Sequence, residues 1–238
     1  MENEGTEMGN EQADARRGGK INNVGVLDLT GFEAGDLARI RGINNVGVIV
    51  VPESLIGELM DIPMNNTGTI VPIPEGANVR AHTGQVKMMG EALANLEGNA
   101  EDVLVVAGQL VITTPVEKVG YKELIVVGQV LGPRGSEAAL ATGLTRLTGQ
   151  IVYYPGGARF FVEKVRLGRD FFELLEDPIA MVIMDECVIE SDVSVDLFRD
   201  KVSEIVLLGE LRAPEELVGI LQVLTIENYG EIAAEGDD

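Results

Sequence analysis

A five-residue phrase recurs in this chain and sets a period. Ile21-Asn22-Asn23-Val24-Gly25 returns as Ile43-Asn44-Asn45-Val46-Gly47 and as Met64-Asn65-Asn66-Thr67-Gly68. The glycine then recurs at Gly84, Gly108, Gly128, Gly149, Gly209 and Gly230, with Glu186 read in its place once. Most intervals are 20 to 24 residues. Two are irregular: Gly68 to Gly84 is 16 and Gly149 to Glu186 is 37. A fixed period of this size is the mark of a repeat architecture, in which each unit buries its apolar face against its neighbours.

A second column supports the period. The residues two places after the glycine position are Leu27, Ile49, Ile70, Val86, Leu110, Val130, Ile151, Val188, Leu211 and Ile232, all aliphatic. Alternation around each glycine, as in Leu104 to Ile112, reads as a strand with one buried face. A glycine repeated mid-strand predicts a bend, or a close approach of the next unit's backbone. Short helical patterns follow several strands: 52–60, 136–147 opened by Ser136 as a cap, 195–205, and 214–224. The expected fold is an α/β repeat solenoid of about ten coils, each about 21 residues, with parallel strands in one sheet and short helices behind it.

The period, the strand-turn-helix order and the asparagines resemble those of leucine-rich-repeat proteins, over about residues 21 to 232. The full L-x-x-L-x-L-x-x-N signature is absent, and glycine takes the central place. A right-handed parallel β-helix, as in bactofilin-like cytoskeletal proteins, is the alternative. The expected organisation is a disordered acidic tail over 1–20, one solenoid domain over 21–232 with an irregular insertion at 153–177, and an acidic tail over 233–238.

Composition narrows the function. The net charge of −21 opposes binding to nucleic acid and to anionic membrane surfaces. Apolar content is 45 % but aromatics are only 4 %, so the core is aliphatic. No apolar run reaches the length of a membrane span. The single cysteine, Cys187, forbids an internal disulfide, and a cytoplasmic location is expected.

Three sets of residues stand out. Asn23, Asn45, Asn66, His82 and Asn228 share the column two places before the glycine and are expected to form a structural amide ladder. Gln85, Gln109, Gln129 and Gln150 follow the glycine and are expected on the opposite, exposed face, with Cys187 in the same column. Tyr153, Tyr154, Arg159, Phe160, Phe161, Arg166 and Arg169 mark the long interval as basic and aromatic-rich, a candidate contact loop. Phosphate-binding, serine-nucleophile and zinc-protease motifs are not found, and no cofactor or metal is expected.

These observations suggest a non-enzymatic structural or scaffold protein, acting by self-association or by offering an extended face to a protein partner. A monomeric binding module using 153–177 and a glycan-binding or glycan-cleaving solenoid are the alternatives. Ile49→Asp or Leu110→Asp places an unpaired charge in a shared aliphatic stack, and should cost on the order of 3–5 kcal/mol and unfold the array. Gln109→Ala should leave stability nearly unchanged. Denaturant melts followed by circular dichroism check both.

Overall fold

The computed structural model describes residues 19–99 and 101–235. Strand makes up 51 % and helix 21 %, so the helices are short connectors between strands. Every strand pair with an assigned register is parallel. The one continuous sheet expected is replaced by four. The chain forms two compact units that divide between Ile151 and Val152.

The first unit holds two sheets. In one, β1 (Gly19–Asp28), β2 (Ile40–Pro52) and β3 (Met64–Ile73) stand in sequence order. The connectors carry α1 (Ala34–Leu37) and α2 (Ile56–Met60). Strand β1 begins at Gly19, so Gly19 and Lys20 belong to the fold and not to the expected tail. Residues 1–18 of that tail lie outside the described residues. The interior of this stack is aliphatic, built from Ile21, Leu27, Leu37, Ile43, Ile49 and Leu59 among others.

The second sheet of this unit contains β4 (Asn78–Met88), β5 (Asp102–Ile112), β6 (Glu123–Pro133) and β7 (Leu144–Tyr154), again in order. Helix α3 (Gly90–Leu93) follows β4, a helix-free loop follows β5, and α4 (Glu137–Gly143) follows β6. The Ser136 hydroxyl does not cap α4. It is buried and accepts the backbone N–H of Val116 in the adjacent rung, at 2.9 Å. The two sheets pack through Val26, Val48, Val50, Val71 and Ile73 against Val103, Val105 and Ile125.

The second unit repeats the plan with each strand split in two. Strands β8 (Arg159–Phe161), β10 (Ile179–Ile183), β12 (Val202–Leu207) and β14 (Thr225–Asn228) form one sheet. Strands β9 (Val165–Leu167), β11 (Glu186–Ile189), β13 (Glu210–Ala213) and β15 (Glu231–Ala234) form the other. Helices α5 (Arg169–Glu173), α6 (Val195–Lys201) and α7 (Glu215–Leu224) close the rungs, and Phe172, Phe198, Leu217 and Leu221 fill the core. Ser194 caps α6 by accepting the Leu197 N–H. Ala233 and Ala234, expected in the acidic tail, lie in β15. Residues 236–238 are outside the described residues.

Both irregular intervals coincide with a change of sheet. The links are Pro74-Glu75-Gly76-Ala77 and Pro155-Gly156-Gly157-Ala158. Each is a four-residue turn closed by the alanine N–H on the proline carbonyl, at 3.3 and 3.2 Å. Each has its glycine at positive φ, 73° and 78°. Such a turn demands glycine at its third position. It leaves no room for a helical connector, so the strand after it starts a new sheet.

The glycine column has one physical cause. A Cβ on Gly47 would lie 2.7 Å from the Gly25 carbonyl oxygen, and one on Gly128 would lie 1.9 Å from that of Gly108. Gly68, Gly108, Gly149, Gly209 and Gly230 meet the preceding rung in the same way. In the second unit this column runs Asp185, Gly209, Gly230, because the Gly209 position abuts the Asp185 carbonyl. Glu186 therefore does not occupy the glycine place; it pairs with Glu210, one position later. Gly25 and Gly84, which open their sheets, have no carbonyl against them: a Cβ on Gly25 would meet only the Thr83 side chain, its methyl at 3.4 Å, and one on Gly84 nothing within 4 Å, although Gly84 is at φ 73°. Gly128→Ala should cost about 2–4 kcal/mol, since backbone must move. Gly25→Ala should change stability by no more than about 0.5 kcal/mol. Parallel denaturant melts test the contrast.

Candidate functional site

The asparagine column divides. Asn45 Nδ2 donates to Asn23 Oδ1 at 2.9 Å, and Asn66 Nδ2 donates to Asn45 Oδ1 at 2.7 Å. These three residues adopt left-handed φ of 60°, 53° and 51°, which asparagine tolerates better than other side chains. They turn the corner of each rung, and Asn44 to Asn22 adds a second amide link at 3.0 Å. His82 and Asn228 are not in this ladder. His82 is half-buried and in register with Val106, and Asn228 accepts the Gly230 N–H.

The glutamines form a ladder of their own. Gln85 Nε2 donates to Gln109 Oε1, and Gln109 Nε2 to Gln129 Oε1, both at 2.7 Å. Gln85 and Gln150 are exposed, and Gln109 and Gln129 are half-buried. The strands place these amides in exact register, Gln85 beside Gln109 beside Gln129. In the second unit the same column, one place after the glycine position, holds Glu186, Glu210 and Glu231.

Cys187 is not in that column. It is fully buried in the aliphatic row, in register with Val165 and Leu211. Burial pushes its thiol up to about 12. The one-place shift follows from reading Glu186 as the glycine equivalent.

The 153–177 stretch is not an irregular insertion. It contains a complete rung, β8, β9 and α5, whose strands pair with β10 and β11. Its aromatics belong largely to the packing. Tyr154 and Phe161 are buried, and Tyr153 and Phe160 are half-buried. Tyr154 and Phe160 meet edge to face at 4.8 Å. Burial raises the Tyr154 phenol to about 12. The cations are exposed but partnered. Lys164 pairs with Glu186 at 2.6 Å, Arg169 with Glu173 at 2.6 Å, and Arg166 with Glu190 and Glu235, each at 3.1 Å. The Arg159 guanidinium lies 5.4 Å from the Phe171 ring centre. A hydrogen bond from Lys164 holds the Glu186 carboxyl below its ordinary range.

Sequence reasoning passed over one polar cluster. Asp102 is buried at the start of β5. Its carboxylate accepts from Asn78 Nδ2 at 2.8 Å, from Asn95 Nδ2 at 3.1 Å and from the Asn99 N–H at 3.0 Å, with Arg80 at 3.3 Å. Those hydrogen bonds, Asn78 first, hold the Asp102 carboxyl below the usual carboxylate range. The cluster ties Asn95 and Asn99 to the start of β5 and to Asn78 and Arg80 on the preceding rung, so its role is structural. Nothing in the period marks it, because its members lie on a turn and on two rungs.

Among the described residues no group of His, Cys, Asp and Glu could hold a metal ion, and no helix is long and apolar enough to cross a membrane. No protein-family model matches the chain, and no curated protein or solved structure is similar to it.

Asp102 supports folding in its charged form. Because its folded pKa is lowered, its stabilisation is present at neutral pH and is lost as pH falls from the ordinary carboxylate range through that lower value. Asp102→Asn should remove this part of the acid dependence, measured as denaturant midpoints from neutral pH into acid. Thiol-reagent titration should find Cys187 unreactive until the chain unfolds.

Proposed function

We propose that the chain is a non-enzymatic repeat solenoid of the α/β type that serves as a structural or scaffold protein. It acts by self-association, or by presenting an extended face to a protein partner. The observation that carries this reading is the set of open sheet ends. Each sheet finishes in strands whose outer backbone groups pair with no other strand of that sheet: β1 and β3, β4 and β7, β8 and β14, β9 and β15. Open edges of stacked parallel strands are templates for further strands.

The amide ladders support the same reading. Gln85, Gln109 and Gln129 offer a regular row of side chains at the strand spacing of about 4.8 Å. A reducing cytoplasm suits a chain with one buried thiol. The alternative of a monomeric module that captures partners with 153–177 is less favoured. The cations of that stretch are matched by acids of the same unit or lie on its own ring, and half of its four named aromatics are buried.

Size exclusion with light scattering over a wide concentration range, joined to negative-stain microscopy, tests the proposal. Concentration-dependent oligomers, filaments or sheets are the expected result. A strict monomer at every concentration would remove self-association and leave only the partner-binding form.

A further inference from the structure

We infer that the outer edge of the last rung is a docking site for an extended, lysine- or arginine-bearing segment of another protein, which adds to β15 as the next parallel strand. This inference rests on the partner-binding form of the reading above, and names its surface and the chemistry of its ligand.

The last rung is α7, β14 and β15, and its two strands end their sheets. Its interior row is open where that of the preceding rung is closed. Leu211 and Ala213 are fully buried, but their register partners Ile232 and Ala234 are only half-buried. In the same rung Ile226 is 47 % exposed and Tyr229 44 %. The backbone is open as well. Glu231 and Glu235 turn their N–H groups back to the Gly209 and Ala213 carbonyls, at 3.0 and 2.8 Å. Alternate residues of a parallel strand address opposite neighbours, so Ile232 and Ala234 present their N–H and C=O groups to the open side.

Register specifies what fits there. The Gly209 carbonyl oxygen lies 1.8 Å from where a Cβ on Gly230 would be. Repeating that contact asks for glycine at the same place in the incoming strand. Aliphatic or small side chains over Ile232 and Ala234 would continue the buried row.

Charge selects the rest. In this unit Lys164 stands one place before the Val165–Cys187 pair and binds Glu186 at 2.6 Å, so a lysine meets a glutamate of the adjacent rung. Glu210, next in the column, takes Arg212 of its own strand at 2.5 Å. Glu231 follows in register and meets no cation among the described residues, nor do Glu215 and Glu216. Glu235 is held by Arg166 at 3.1 Å. From Ala213 to Asp238 the sequence has no lysine or arginine, so the cation for Glu231 comes from outside the rung. An acidic segment, a second copy of this same end included, would be repelled.

Titration of the isotope-labelled full chain with the peptide acetyl-Gly-Lys-Val-Lys-Ala-Lys-amide, followed by amide NMR shifts, tests this. Saturable shifts over residues 231–235, diminished by added salt, are the expected result. The peptide with glutamate in place of each lysine should produce none. Glu231→Lys should weaken binding about tenfold. Ala234→Pro should abolish it while keeping the fold, because proline removes an outward N–H and leaves the ladder to β13 intact. Denaturant midpoints report folding of both variants independently. No saturable binding by the unaltered chain, or equal binding by both variants, overturns the inference, and the scaffold reading is then judged by light scattering alone. Assembly that Ala234→Pro abolishes, in a chain that ignores the peptide, would make a second copy the occupant and overturn the cationic partner while that reading stands.

Discussion

The rest of the structure hangs on a backbone contact, a carbonyl of one rung lying against the glycine of the next. At Gly128 and Gly149 the carbonyl oxygen stands 1.9 and 1.7 Å from where a Cβ would be. No side chain fits there, so the strands approach as bare backbone. That approach fixes the register of each rung against its neighbour. Register in turn lines up the aliphatic rows, and the rows make the core. The corner is then solved in two ways. In the first sheet, Asn23, Asn45 and Asn66 bend the chain at left-handed φ and bond to one another. In the second, Gly108, Gly128 and Gly149 bend it at φ of 137° to 143°.

Where the connector shortens, the stack stops. A longer connector, helical or, after β5, helix-free, returns the chain to the start of the next rung, and the two four-residue Pro-x-Gly-Ala turns do not. After Pro74 to Ala77 the chain builds a second sheet, and within the first unit that sheet packs on the first through valines and Ile73. The connector length thus decides between extending a sheet and starting one. The glutamine and glutamate columns ride on the same register: neutral amides hydrogen-bond along one, and carboxylates in the other draw on Lys164 and Arg212.

Much of this was legible in the sequence because close backbone contact leaves a residue-type signature. The glycine spacing gave the rungs and their parallel order, and the aliphatic column gave the core. The shared spacing of Asn23, Asn45 and Asn66 pointed to their amide ladder, whereas His82 and Asn228 do not join it and the glutamine ladder was read only as an exposed row. What failed did so for physical reasons. Asp185 can stand where glycine stands elsewhere, so the column slipped by one residue and misplaced Cys187. The rung at 159–173 has Glu163 at that place and no glycine to mark it, so it read as an insertion. The breaks between sheets depend on turn geometry rather than on period. Asp102 is held by partners gathered from a turn and separate strands, and no linear spacing encodes that.

The central claim is that glycine-centred rungs stack in register within each sheet and that the stacking is interrupted at Pro74 to Ala77. Through-space proton contacts in solution by isotope-labelled NMR test it most directly. The account predicts strand-pair contacts from Gly25 to Gly47 to Gly68, and separately from Gly84 to Gly108 to Gly128, with none between Gly68 and Gly84. A strand-pair contact between Gly68 and Gly84 would mean one unbroken array, and would contradict the account.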